Sequence, residues 1–281
     1  MIFLKKPLII LTGPTAVGKT KLSISLAQAV NGAIISADSM QVYRHMDIGS
    51  AKIRPEEMCG VPHYLIDVLD PSEEFHVVKF VELAHEAMEK IYAAGQIPIV
   101  TGGTGFYIQA LLKEVDFTES HGELPIRKQL EEKAATEEGA AELYRELSEV
   151  DPASAETIHP NNVKRVIRAL EYYHETGQKI SEHNEEQKQK ESPYCSAYFV
   201  LNDERSILYD RIDRRVDQMI CDGLVDEVFR LKEMGYTRDL VSMQGLGYKE
   251  LFPYLAGECT LEEAVYIIKR DTRHFAKRQL T

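Results

Sequence analysis

Residues 8–30 read LIILTGPTAVGKTKLSISLAQAV, and the rest of the chain is interpreted outward from this stretch. The apolar run Leu8-Ile9-Ile10-Leu11 has the length and branching of a parallel strand covered on both faces. Gly13-Pro14-Thr15-Ala16-Val17-Gly18-Lys19-Thr20 follows and meets every fixed position of the pattern G-x-x-x-x-G-K-[ST]. A helix is expected next, with Leu22, Leu26, Ala29 and Val30 on one face and Asn31-Gly32 as its stop signal. Gly13 and Gly18 let the loop wind until successive backbone N–H groups converge on an anion. The following helix N-terminus adds partial positive charge. Lys19 supplies a point charge, and the Thr20 hydroxyl is placed to ligate Mg²⁺. A plain glycine turn before an ordinary helix is the competing reading, and the intact flanks argue against it. The loop specifies a polyphosphate without specifying what carries it.

The chain has 281 residues, enough for one large domain or a domain with an insertion. No apolar run approaches membrane-spanning length. The start, MIFLKKPLIIL, mimics a signal peptide, but its apolar part leads straight into the phosphate loop, so cleavage there would destroy the site. Cys59, Cys195, Cys221 and Cys259 are scattered without a C-x-x-C pair and read as reduced thiols of a cytoplasmic protein. The nine histidines lack zinc-like spacing. A net charge of −12 argues against a nucleic-acid partner unless positive charge is concentrated locally.

Along the chain, residues 33–37 read as a second buried strand ending at Asp38-Ser39-Met40-Gln41. In doubly wound sheets ligands sit at the carboxyl ends of strands, which places Asp38 beside the phosphate loop. There Asp38 is suited to hold magnesium through water, to cap a helix or to act as a base. Gln41 offers an amide able to meet a nucleobase edge. Residues 63–68 are expected as a strand and residues 77–94 as an amphipathic helix. Residues 97–100 are expected as a strand running into the glycine-rich turn Thr101-Gly102-Gly103-Thr104-Gly105.

The alternation then stops. Residues 119–192 show helical patterns, with ten Lys and Arg against seventeen Asp and Glu, and are expected as a helical insertion. Within it Asn161-Asn162-Val163-Lys164-Arg165-Val166-Ile167-Arg168 is locally basic, and Arg127 begins an earlier helix. Residues 183–192 are expected as a polar loop. Residues 196–201 return as a strand. The next helix carries Arg211 and Arg215 at the edge of the stripe Leu208, Ile212, Val216 and Met219, suited to reach over a phosphate. For Arg211, surface pairing with Asp213 or Asp217 competes with that role. Met243-Gln244-Gly245-Leu246-Gly247-Tyr248 is a further glycine-rich turn. The last helix holds Lys269, Arg270, Arg273, Lys277 and Arg278 against Asp271, a second basic stretch.

Together GPTAVGKT at 13–20, DSMQVYR at 38–44, GGTGFY at 102–107, the arginine helix at 211–219, GLGY at 245–248 and KRQLT at 277–281 resemble the bacterial tRNA dimethylallyltransferases, also called tRNA isopentenyltransferases. DSMQVYR after such a loop is the specific element. The resemblance implies a P-loop NTPase-like α/β core with a parallel sheet and helices on both faces, formed by residues 1–117 and 196–281. A mostly helical domain, residues 118–195, would grip the anticodon stem. It implies transfer of a dimethylallyl group from dimethylallyl diphosphate to the exocyclic amine of the adenine beside the anticodon. Asp38 would be the general base. Residues 13–20 with Mg²⁺ on Thr20, together with Arg215, would hold the diphosphate. Asp38, Ser39, Met40, Gln41, Thr104, Arg127, Asn162, Val163, Lys164, Arg165, Val166 and Met243 to Tyr248 would contact tRNA. A cytoplasmic monomer without membrane contact is expected. Family members usually continue past KRQ-x-T with a tryptophan, which this chain lacks, so a C-terminally shortened chain is expected. A small-molecule kinase or a nucleotide-dependent switch would also explain the loop, but would leave the surroundings of Gln41 and the basic stretches without a use.

Overall fold

The computed structural model describes residues 5–115 and 125–280. The expected boundary at 117/118 lies outside these residues, as do residues 1–4 and Thr281. Two compact units are present, Met1–Leu112 with Pro193–Thr281, and Lys113–Ser192.

The first unit contains β1 (Lys6–Thr12), α1 (Lys19–Val30), β2 (Gly32–Ser36), β3 (His63–Tyr64), α2 (Val77–Ala93), β4 (Ile97–Gly102) and α3 (Gly105–Lys113), whose last residue lies across the unit boundary. Among the described residues the strands form a five-stranded sheet in the order β3-β2-β4-β1-β5, where β5 is Tyr194–Val200. All pairings are parallel, with Ile10 opposite Val100 and Ile35 opposite Val100 on its other side. Alternation along the strands divides the interior into two layers. Leu8, Ile10, Ala33, Ile35 and Val100 pack with Phe80, Ala84, Met88 and Ile91 of α2. Ile9, Ile34 and Ile99 meet Ala27 of α1 on the opposite face. The middles of the central strands are apolar on both faces because both faces are covered.

Small side chains let α1 approach its face closely. Its buried positions are Ser23 and Ala27, while Leu22 is 43% exposed and Ala29 is exposed. This corrects the expected face of Leu22, Leu26, Ala29 and Val30, of which only Leu26 and Val30 pack inward. The expected strand at 63–68 pairs only at His63 and Tyr64. Leu65 and Asp67 adopt left-handed φ values of 62° and 55°, which stop a ladder. The N–H groups of Val68 and Leu69 donate to the Val42 carbonyl instead.

The second unit is helical: α4 (Pro125–Lys133), α5 (Glu137–Val150), α6 (Pro152–Thr157), α7 (Val163–Thr176) and α8 (Ile180–Gln189). Leu130, Leu143, Leu147, Val166, Ile167 and Leu170 form its core. Asp151 caps α6 through Ser154 and also accepts from the backbone N–H and hydroxyl of Ser181, fixing the start of α8. Most of the stretch expected as a polar loop at 183–192 therefore lies in α8. That helix buries no residue; good helix formers and the pairs Lys179–Glu182 (3.0 Å) and Lys188–Glu185 (3.3 Å) support it.

After β5 the first unit is completed by α9 (Arg205–Cys221), α10 (Leu224–Glu233), α11 (Leu251–Leu255) and α12 (Leu261–Arg278). One buried carboxylate ties this part to the loop after β2. Glu227 of α10 accepts the backbone N–H groups of Asp47, Ile48 and Gly49 (3.0, 2.8 and 3.1 Å) and the Tyr248 hydroxyl (2.7 Å). Burial, reinforced by this carboxylate, holds the Tyr248 hydroxyl well above its ordinary pKa. Glu227→Ala leaves these donors without their acceptor and is expected to cost about 3 kcal/mol, read as a lower urea midpoint at unchanged slope. An unchanged midpoint would contradict this role.

Candidate active site

The loop between β1 and α1 takes up the strained geometry that an anion cradle needs. Gly13 and Gly18 have φ of 148° and 99°, and Ala16 between them has φ 63°. A Cβ on Gly13 would lie 2.4 Å from the Leu201 carbonyl oxygen, so no other residue fits there. Gly18 is the N-cap of α1, with no side-chain cap and no acidic residue in the first turn. The first N–H groups of α1 are thus not taken up by a capping side chain of this helix. Lys19 Nζ donates to the carbonyls of Gly13 (2.9 Å) and Pro14 (2.8 Å), arching back over the loop.

Asp38 stands at the carboxyl end of β2, on the same cavity of about 780 Å³ as Lys19, Thr20 and Arg215. Its Oδ1 accepts the backbone N–H groups of Met40 (2.8 Å) and Gln41 (3.3 Å), so it caps this turn while also lining the cavity. Arg215 leaves α9 between the buried Ile212 and Val216. Burial lowers the pKa values of both Lys19 and Arg215, and the charge of Asp38 opposes that shift in each. For Lys19 the result is a value of about 8, with Arg215 contributing a smaller lowering. Phe75, Tyr107, Val216, Met219 and Ile268 supply an apolar part of the lining. Phe75 and Tyr107 are fixed by edge-on contact at 5.6 Å, and Tyr107 stacks on Phe80 at 4.9 Å.

Arg211 also lines the cavity and pairs with Asp203 at 2.9 Å, not with Asp213 or Asp217. Those two aspartates instead take Arg273 (2.5 Å) and Lys269 (2.6 Å) from α12, and Arg270 pairs with Asp271. Much of the second basic stretch is neutralised in this way.

Thr15, Ala16, Ser39, Met40, Gln41, Thr104, Gln244, Gly245, Leu246 and Gly247 line the cavity as well. Gln41 spends its amide internally: Oε1 accepts from Ser36, and Nε2 donates to the Ser50 and Ala51 carbonyls at 3.4 Å. That use competes with the expected reading of a base edge. Met243 and Tyr248 are fully buried, so their side chains are closed to RNA. In the helical unit Val166 is core, while Lys164 and Arg165 are exposed and Asn162 precedes α7 as its N-cap. The buried Glu171 gathers Arg127 (3.4 Å) and Arg168 (2.9 Å), and Arg127 also pairs with Glu131. The sequence marks Arg168 as part of a basic stretch; its link through Glu171 to Arg127 has no local signal there.

Two further residues shape the site. Glu250 accepts the Gly247 N–H at 2.8 Å and holds the 245–248 turn; burial raises its pKa. Gln279 bridges Thr15 and Gly103. Among the described residues no three His, Cys, Asp or Glu side chains are placed to hold a metal. The oxygens present, from Thr20 with Asp38 across the cavity, suit a hard cation that takes its remaining ligands from phosphate and water. No helix of the described residues is long and apolar enough to cross a membrane.

The family model described as IPP transferase matches residues 41–281, and the one described as isopentenyl transferase matches residues 6–75. The chain is 67% identical over 276 residues to a tRNA dimethylallyltransferase of Lachnoclostridium phytofermentans, covering 98% of this chain and 88% of that protein. It is similar to the crystal structure of the full-length tRNA isopentenylpyrophosphate transferase of Bacillus halodurans (47% identity, TM-score 0.72, 99% and 86% of the two chains). It also matches a eukaryotic dimethylallyltransferase solved acting on tRNA (37% identity, TM-score 0.85, 98% and 69% of the two chains).

Lys19 gives the cavity a measurable signature. Its pKa stands near 8 before an anion binds, and a bound anion raises it. Binding of inorganic diphosphate between those two values therefore takes up a proton, and affinity falls as pH rises through about 8. Calorimetry near that pH in buffers of different ionisation enthalpy is expected to show the uptake in the wild type and its loss in Lys19→Met. Equal uptake in both proteins would contradict the assignment.

Proposed function

The chain belongs to the IPP transferase family, and from that premise we propose that it transfers a dimethylallyl group from dimethylallyl diphosphate to the N6 amine of the adenosine next to the anticodon of tRNA. The observation that carries this reading is the shared cavity: a phosphate loop with Lys19 and Arg215 in the same space as a carboxylate, Asp38. The loop and the two cations meet the leaving diphosphate, and the carboxylate meets the proton of the attacking amine.

The amine nitrogen attacks the first carbon of the prenyl group, and that carbon's bond to the diphosphate oxygen breaks. The electron pair leaves with the diphosphate. Negative charge then grows on the leaving group, and the loop N–H groups that remain open, with Lys19 and Arg215 of the same cavity, stabilise it. An adenine amine is a weak nucleophile, and Asp38 accepts its proton as the new bond forms. Thr20 would hold Mg²⁺, which when bound supplies further charge stabilisation to the departing oxygens. The apolar lining, including Met219 and Ile268, accommodates the prenyl tail and limits water, which would otherwise hydrolyse the donor.

The target base leaves the anticodon-loop stack at a cost of a few kcal/mol, least in a single-stranded loop. Ser39, Met40, Thr104 and the 243–248 turn border the entry for that base, with Met243 and Tyr248 as its buried support. The helical unit grips the anticodon stem through Arg127 and residues 162–166, with Lys164 and Arg165 directed to phosphates. The enzyme acts as a cytoplasmic monomer.

Incubation with dimethylallyl diphosphate, Mg²⁺ and tRNA, followed by nucleoside mass spectrometry, is expected to yield prenylated adenosine, with no product when ATP replaces the donor. Asp38→Ala is expected to lower the single-turnover rate about 10²–10⁴-fold while tRNA affinity stays within a few-fold. Loss of tRNA affinity at an unchanged rate would overturn the base assignment.

A further inference from the structure

Gln279 lies one residue beyond α12, yet its side chain enters the site formed by the opposite end of the chain. Its Oε1 accepts the Thr15 backbone N–H at 2.9 Å, and its Nε2 donates to the Gly103 carbonyl at 3.0 Å. One amide thus joins the phosphate loop to the second glycine-rich turn, using one acceptor and one donor. Gly103 is shaped to receive it: a Cβ there would lie 2.0 Å from Nε2. Next to Gly103, Thr104 faces the cavity, as does Gln279 itself.

We infer that Gln279 is a positioning residue for the diphosphate subsite, bracing the phosphate loop against the 101–105 turn so that the loop is ordered before the donor arrives. The inference rests on the reading of this cavity as a prenyl diphosphate site. The Thr15 N–H is satisfied by the protein, which leaves the other loop amides to converge on the anion. Ordering the loop in advance removes an entropic cost from binding. The brace needs an amide. A carboxylate can accept from Thr15 but cannot donate to Gly103, and it would oppose the diphosphate with its own charge. A thioether of similar length cannot donate to Gly103 and accepts only weakly from Thr15.

The test uses Gln279→Met, Gln279→Glu and Gly103→Ala in the full chain, with steady-state kinetics and inorganic diphosphate binding. Gln279→Met is expected to raise KM for dimethylallyl diphosphate and Kd for inorganic diphosphate about tenfold, the worth of roughly one to two hydrogen bonds. kcat and the KM for tRNA should each stay within about threefold, a split that general destabilisation would not give. Gln279→Glu is expected to lose more diphosphate affinity than Gln279→Met at pH 8. Its deficit relative to wild type should shrink at pH 5, where a protonated carboxyl regains a donor. Gly103→Ala is expected to match Gln279→Met, and the double variant to be no worse than either, since both remove the same brace. Unchanged or tighter diphosphate binding in Gln279→Met, or equal losses for both substrates, would overturn the inference. Absence of prenylated adenosine with the wild type would instead refute the proposed reaction, and the diphosphate arm would still report on Gln279.

Discussion

Two cations, Lys19 and Arg215, are held partly out of water in a cavity that a carboxylate, Asp38, also lines. Burial works against the charge on both Lys19 and Arg215, Asp38 works for it, and the proximity of Arg215 further disfavours the charge on Lys19. Keeping like charges together in a low-dielectric space is uphill unless an anion of comparable charge joins them. A diphosphate does so, and a departing diphosphate does so more strongly as its charge localises. Asp38 favours the charged form of both cations, so its own charge is part of the same balance.

The sheet makes this arrangement possible. With β2, β4 and β1 side by side and parallel, the segments after their carboxyl ends converge: the 13–18 loop, Asp38 and the 103–104 turn. α9 then brings Arg215, α10 fixes the loop after β2 through Glu227, and the residue after α12 joins two of the three segments. The acidic total of the chain is compatible with an RNA partner because charge is arranged in neighbourhoods. α9 aspartates absorb Arg273 and Lys269 of α12, whereas Lys164 and Arg165 of α7 remain exposed.

What could be read from the sequence was what is encoded locally. The phosphate loop, its strand and helix, and the strand end at Asp38 each depend on residues within a few positions, so their patterns survive without tertiary information. Reading failed where distant partners decide the outcome. The strand at 63–68 stops because Leu65 and Asp67 turn left-handed and the next N–H groups find Val42. The packed face of α1 is chosen by how closely the helix meets the sheet, which favours Ala27 over Leu22. Residues 183–189 lack an apolar stripe, so their helix shows only in propensity and in the buried cap that Asp151 gives Ser181. Glu227 and Gln279 act 180 and 264 positions away from their partners, and no spacing rule reports that.

The central claim is that the phosphate-binding loop and Asp38 serve one reaction in one space. The most direct measurement is a crystal structure with an unreactive dimethylallyl diphosphate analogue and an anticodon stem-loop bound together. The account predicts both phosphorus atoms against the 13–20 loop beside Lys19 and Arg215. It also predicts the adenine amine within about 3 Å of the Asp38 carboxylate, facing the first prenyl carbon. A diphosphate bound elsewhere, or an adenine whose amine points away from Asp38, would contradict it.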